Sequence, residues 1–125
     1  MTDAVQIADQ IADRYITVWN ETDPIRRREL LTEWWAEDAI YVDPMMAGEG
    51  RDQIGALIAA VHQRFPGFRF KLAGRADGHH DTVRFSWALG SESQADMIKG
   101  TDFVVVKDGR LKSITGFLDK VPAGS

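Results

Sequence analysis

The sequence predicts an α+β fold, a curved and mostly antiparallel sheet wrapped around three N-terminal helices with a cone-shaped apolar cavity between them. Three observations carry this. Apolar residues recur every three to four positions in segments that end before Pro66. From Phe68 onward the period changes to two. Turn signals at Asp77-Gly78, at Gly90 to Gln94 and at Asp108-Gly109 then join neighbouring strands by short connections. A length of 125 residues suits one domain, residues 1–125.

The first helix spans Thr2 to Asn20, where Ala4, Ala8, Ile11, Tyr15 and Val18 form the stripe with Trp19 beside it. Asp3 and Gln6 suit a capping box at its start. Tyr15 lies on the buried side, so its hydroxyl needs an interior partner. Asp23-Pro24 opens a second helix that runs to about Ala36 and ends heavily apolar with Leu30, Leu31, Trp34 and Trp35. Arg26-Arg27-Arg28, followed by Glu29 and Glu33, reads as its solvated face.

Glu37 to Pro44 begins polar, becomes a short β-branched and aromatic run, and stops at proline, which makes Ala39 to Asp43 a strand. Tyr41 and Asp43 share one of its faces, Ile40 and Val42 the other. Met45 to Gly50 is a loop, and a third helix from Asp52 to Phe65 carries Ile54, Leu57, Ile58, Val61 and Phe65 on one side. The strands Phe68–Leu72, Val83–Leu89, Asp96–Val106 and Arg110–Leu118 complete the chain.

Composition narrows the function. A net charge of −4 argues against a nucleic-acid partner, which needs a basic field. The absence of cysteine excludes disulfides and thiolate chemistry. No run approaches a bilayer span, and Met1 to Ile7 has no signal-peptide pattern, so a cytoplasmic protein without a membrane partner is expected. No His, Asp or Glu spacing suits a metal, and there is no Gly-rich phosphate loop or nucleophile elbow, so neither metal nor cofactor is expected. His79 and His80 belong to a turn, while His62 flanks the stripe of the third helix, facing cavity or core. One carboxylate stands out. Asp102 shares a strand face with Ile98, Val104 and Val106, which makes it a candidate cavity carboxyl whose proton affinity burial raises.

With Arg14-Tyr15 and Trp19-Asn20, Glu37-Asp38-Ala39 through Asp43-Pro44, Gly50-Arg51, and Gly100-Thr101-Asp102-Phe103 ahead of Asp108-Gly109-Arg110-Leu111, the chain resembles the nuclear transport factor 2-like superfamily. Within it the SnoaL-like proteins are the most similar group, over nearly the whole length. That superfamily includes ketosteroid isomerase, polyketide cyclases, limonene epoxide hydrolase, scytalone dehydratase and non-catalytic modules, so the fold does not choose the activity. In ketosteroid isomerases a first-helix tyrosine and a strand aspartic acid form an oxyanion hole, and an aspartate before a proline is the base. The resemblance therefore implies Tyr15 and Asp102 as hydrogen-bond donors and Asp43 as base. Trp19, Trp35, Met46, Ile58, His62 and Trp87 would line the substrate pocket. Trp35 and Ile58 stand where isomerases often carry further tyrosines. The implied function is cofactor-free acid/base chemistry of isomerase or cyclase type on a small apolar carbonyl compound, in a homodimer formed through the outer sheet face. The alternative is a ligand-binding or dimerisation module of the same fold. Convergence of Tyr15 and both carboxyls on one cavity separates the two.

Overall fold

The computed structural model describes residues 4–122, with side chains from Gln6 onward. Thr2, Asp3 and the Ala4 side chain, and with them the expected capping box, lie outside the described residues. Three helices, α1 (Ala4–Asn20), α2 (Pro24–Trp34) and α3 (Gly50–Arg64), pack on a curved, unclosed sheet of seven strands. The strands are β1 (Trp35–Val42), β2 (Ala47–Glu49), β3 (Arg69–Leu72), β4 (Asp77–His79), β5 (Thr82–Gly90), β6 (Ile98–Lys107) and β7 (Arg110–Lys120). Their order is β2-β1-β7-β6-β5-β3, with β4 also paired to β5. Among the described residues only the β1–β7 pair is parallel.

α1 buries Ala8, Ile11, Ala12, Tyr15, Val18 and Trp19, the three- and four-residue spacing of one helix face. Asp23 caps α2, its carboxylate accepting from the Ile25 amide at 3.0 Å. α2 ends at Trp34, two residues earlier than the sequence pattern predicts. Trp35 turns extended and starts β1, because the Arg51 guanidinium takes over the freed carbonyls, bonding Thr32 O at 3.0 Å and Trp35 O at 2.8 Å. Arg27 also departs from expectation. It is buried rather than solvated, donating to Glu21 O at 3.0 Å, while Arg26 and Arg28 stay exposed in ion pairs with Glu29 and Asp52.

Two strands arise where loop and turn are expected. Ala47–Glu49 returns from Pro44 to pair with β1, and Asp77–His79 pairs with β5. The left-handed Asp108 (φ 53°) and Gly109 (φ 77°) close the β6–β7 hairpin, as their sequence predicts. Register shifts interrupt the β1–β7 and β6–β7 ladders, irregularities of the kind that bend a strand. No helix among the described residues is long and apolar enough to cross a membrane.

Candidate active site

β6 and β7 face each other with Asp102 opposite Gly116. A methyl group at Gly116 would lie 2.9 Å from Asp102 Oδ1 and 3.2 Å from Asp43 Cβ, so this glycine makes the room in which two carboxyl-bearing residues approach. Gly100 does the same for an aromatic ring: a Cβ there would meet Trp87 Cζ2 at 2.3 Å. The indole packs against Gly100 and donates its N–H to Asp102.

Asp102 is 1% exposed, and both its oxygens are hydrogen-bonded. Tyr15 Oη donates to Oδ2, and Trp87 Nε1 donates to Oδ1 at 3.0 Å. The Asp102 carboxyl is pushed up to about 6: burial raises it most, the two donors oppose the rise, and the nearby Asp43 and Asp119 charges add to it. Burial and the Asp102 charge likewise raise the Tyr15 hydroxyl well above its ordinary value. The Tyr15 ring is wedged between Trp35, stacked at 5.9 Å, and the edge of Phe85 at 4.9 Å, which fixes the hydroxyl in place.

Asp43 follows β1 directly. Its Oδ2 accepts from Tyr41 Oη at 2.6 Å, and its Oδ1 accepts from the Met45 and Met46 amides at 2.7 and 2.9 Å. Proline after it and these turn bonds hold the carboxylate at the strand end. Tyr41 is buried, its hydroxyl raised by burial and by the charges of Asp102 and Asp43, and it is close enough to Tyr15 for each hydroxyl to perturb the other. The polar groups therefore run in sequence from Trp87 through Asp102, Tyr15 and Tyr41 to Asp43.

A cavity of about 490 Å³ opens against this row. Tyr15, Trp19, Tyr41, Asp43, Met46 and Trp87 are in its wall, and α3 and the end of β7 supply the opposite sides. Asp102 is behind Tyr15 and not in the wall. Three residues that the sequence places at the pocket are elsewhere. Trp35 is fully buried behind the Tyr15 ring, and Ile58 is fully buried in the core. The α3 face that reaches the cavity carries Ala60, Val61, Arg64 and Phe65 instead. His62 turns away to bond Trp19 O through Nε2 at 2.6 Å and Arg27 through Nδ1 at 3.4 Å. Tyr41 lines the cavity and bonds Asp43 although the sequence does not single it out as a site residue; its signal, a tyrosine two residues before Asp43 on the same strand face, is present. Among the described residues no cluster of three His, Cys, Asp or Glu is arranged to hold a metal.

The SnoaL-like domain model matches residues 12–114, a span that contains Tyr15, Tyr41, Asp43, Trp87 and Asp102. The chain belongs to the SnoaL-like domain family. Among solved structures it is similar to a candidate isomerase of the SnoaL-like family from Agrobacterium tumefaciens, with 48% identity, a TM-score of 0.87, and coverage of 90% of this chain and 97% of that one. A candidate ketosteroid isomerase from Kribbella flavida superposes with a TM-score of 0.71 at 22% identity, over 100% of this chain and 86% of the other. A candidate SnoaL-like polyketide cyclase from a Jannaschia species gives 0.70 at 16% identity, over 95% and 92%. At those identities the last two bear on the fold alone. No curated protein matches the chain significantly.

Proposed function

We propose that this SnoaL-like protein is a cofactor-free acid/base enzyme of isomerase or cyclase type, acting on a small apolar carbonyl compound in the cavity. The observation that supports this reading best is the placing of Tyr15, Tyr41 and Asp43 on one apolar cavity wall with Asp102 directly behind Tyr15. Asp43 takes a proton from the carbon beside the carbonyl, and the enolate oxygen that forms lies against the tyrosine hydroxyls.

Counting protons sets the working state. With both carboxylates ionised, Tyr15 donates its hydrogen bond to Asp102 and Tyr41 donates its own to Asp43, so neither hydroxyl has a donor left for a ligand oxygen. A protonated Asp102 donates to Tyr15 instead and frees the Tyr15 proton for the enolate. Asp102 is thus a positioning residue that acts through Tyr15. Losing one such donor costs on the order of 10²-fold in rate.

The test is titration with nitrophenols, whose phenolates mimic the enolate, against wild type, Asp43→Asn and Asp102→Leu. Phenolate affinity is expected to fall as pH rises through about 6, where Asp102 ionises, to improve in Asp43→Asn, and to collapse in Asp102→Leu. Three folded proteins that bind no phenol would refute the acid/base reading. The second reading, a ligand-binding module, draws on the Asp43 bonds to the Met45 and Met46 amides, a turn-forming role that needs no chemistry. A homodimer is part of the proposal in either case. Ile40, Val42, Phe103 and Phe117 expose apolar surface on the outer sheet face, with the two phenylalanines packed edge-on at 5.8 Å.

A further inference from the structure

The cavity wall carries one charge of each sign. Asp43 is its only carboxylate and Arg64 its only cation among the described residues. Arg64 shares a face of α3 with Ala60 and Val61, and its guanidinium lies over the ring of Phe65, the residue that ends the helix, 5.6 Å from the centroid. Among the described residues it has no ion pair and no hydrogen bond. Its side chain is exposed at the mouth of the cavity; elsewhere on the surface Arg26, Arg28 and Arg84 pair with carboxylates, while Arg69 and Arg75 are likewise free among the described residues but line no cavity. Asp43 forms no ion pair with Arg64; its oxygens bond Tyr41 and the Met45 and Met46 amides. Nor do the neighbouring bases share its place. His62 is bonded to Trp19 O, and Arg27 to the Glu21 and Thr22 carbonyls.

We infer that the ligand of this cavity carries an anionic group that Arg64 pairs, which makes an apolar keto acid the substrate class. The inference rests on the acid/base reading above. It also solves a problem of orientation that an apolar cavity alone leaves open. A carboxylate on the substrate is repelled by Asp43 and drawn to Arg64, so the carbonyl is the group left to face Tyr15. The planar guanidinium, held against Phe65, is pre-shaped for a bidentate carboxylate. The C-terminal dipole of α3 favours a cation at this turn, and without that cation the same dipole opposes the ligand's anion.

The experiment compares 4-hydroxy-3-nitrophenylacetate with its methyl ester, followed by nitrophenol absorbance, on wild type, Arg64→Gln and Arg64→Lys. The two probes share the phenol that tests the tyrosine end and differ only in the charge that tests Arg64. At low ionic strength the acid is expected to bind wild type about fivefold or more tighter than the ester. That ratio falls to about one or below in Arg64→Gln, is partly retained in Arg64→Lys, and shrinks in about 0.5 M salt. Ester binding with no preference for the acid, or a preference that survives Arg64→Gln, overturns the inference and leaves the acid/base site standing. Failure of both probes to bind wild type overturns both.

Discussion

The placement of Asp102 makes a quantitative claim about stability. In the folded protein its carboxyl titrates near 6 against an ordinary 3.8, so the native state holds this proton more tightly than the unfolded chain does. The consequence has a definite sign. As pH rises from 3.8 the unfolded chain gives up the proton first, native stability falls until about 6, and beyond that the loss is constant. At 1.36 kcal/mol per pKa unit, the gap amounts to about 3 kcal/mol, a large share of the ~5–15 kcal/mol that holds a domain folded. Asp102→Asn removes the ionisation while keeping the shape. It also loses an acceptor for Tyr15 or Trp87, a constant offset of about 1–3 kcal/mol that does not vary with pH. Urea denaturation of both proteins at about pH 3.5 and about pH 7.5 isolates the ionisation, because other groups cancel in the difference. The stability of Asp102→Asn relative to wild type is expected to rise by about 3 kcal/mol from the acid to the neutral condition. A difference that stays flat, or runs the other way, would mean that the Tyr15 and Trp87 hydrogen bonds fully offset the burial of the charge.

Three further outcomes follow from the same geometry. Trp87→Phe keeps a ring over Gly100 but deletes the donor to Asp102 Oδ1, so the midpoint of the phenolate-binding pH profile should move up by about one unit; an unmoved midpoint would show that this hydrogen bond does not tune the carboxyl. Gly116→Ala drives a methyl group to 2.9 Å from Asp102 Oδ1, with an expected loss of about 1–3 kcal/mol in urea melts and at least tenfold weaker nitrophenol binding. Phe117→Glu puts a charge on the exposed outer face and should convert a dimer to a monomer by light scattering with an unchanged circular dichroism spectrum; a wild type already monomeric at tens of micromolar contradicts the proposed interface.

What the sequence makes legible is whatever has a period or a local chemical rule. The α1 stripe, the Asp23-Pro24 start of α2 and the Asp108-Gly109 turn are all of that kind. The end of α2 is not, because what releases Trp35 into a strand is an arginine 16 residues away that bonds its carbonyl. β2 and β4, each of three residues, are too short to show alternation, and they exist because a partner strand offers a ladder. The candidate site divides the same way. Asp102 stands out because a carboxylate interrupts an apolar strand face, whereas its partners, Tyr15 and Trp87, are joined to it only by packing across 87 and 15 residues. Trp35 and Ile58 have the pattern of cavity residues and sit in the core, since the period that marks a buried face does not say whether another side chain or a void lies against it.

The position of β7 in the sheet governs when the pocket comes into being as the chain folds. β7 lies between β1 and β6, so before it docks β1 has only the three-residue β2 as a sheet neighbour. Asp43, just past the end of β1, and Asp102 of β6 approach each other across Gly116 of the strand that joins them. Closing that gap requires a parallel, non-local pairing, the kind whose loop-closure entropy slows folding most. The approach of Asp43 to Gly116 is therefore among the last contacts to form, whereas the Trp87–Asp102 hydrogen bond belongs to the local antiparallel β5–β6 pairing. In a kinetic experiment, substitutions at Asp43 should speed unfolding far more than they slow refolding.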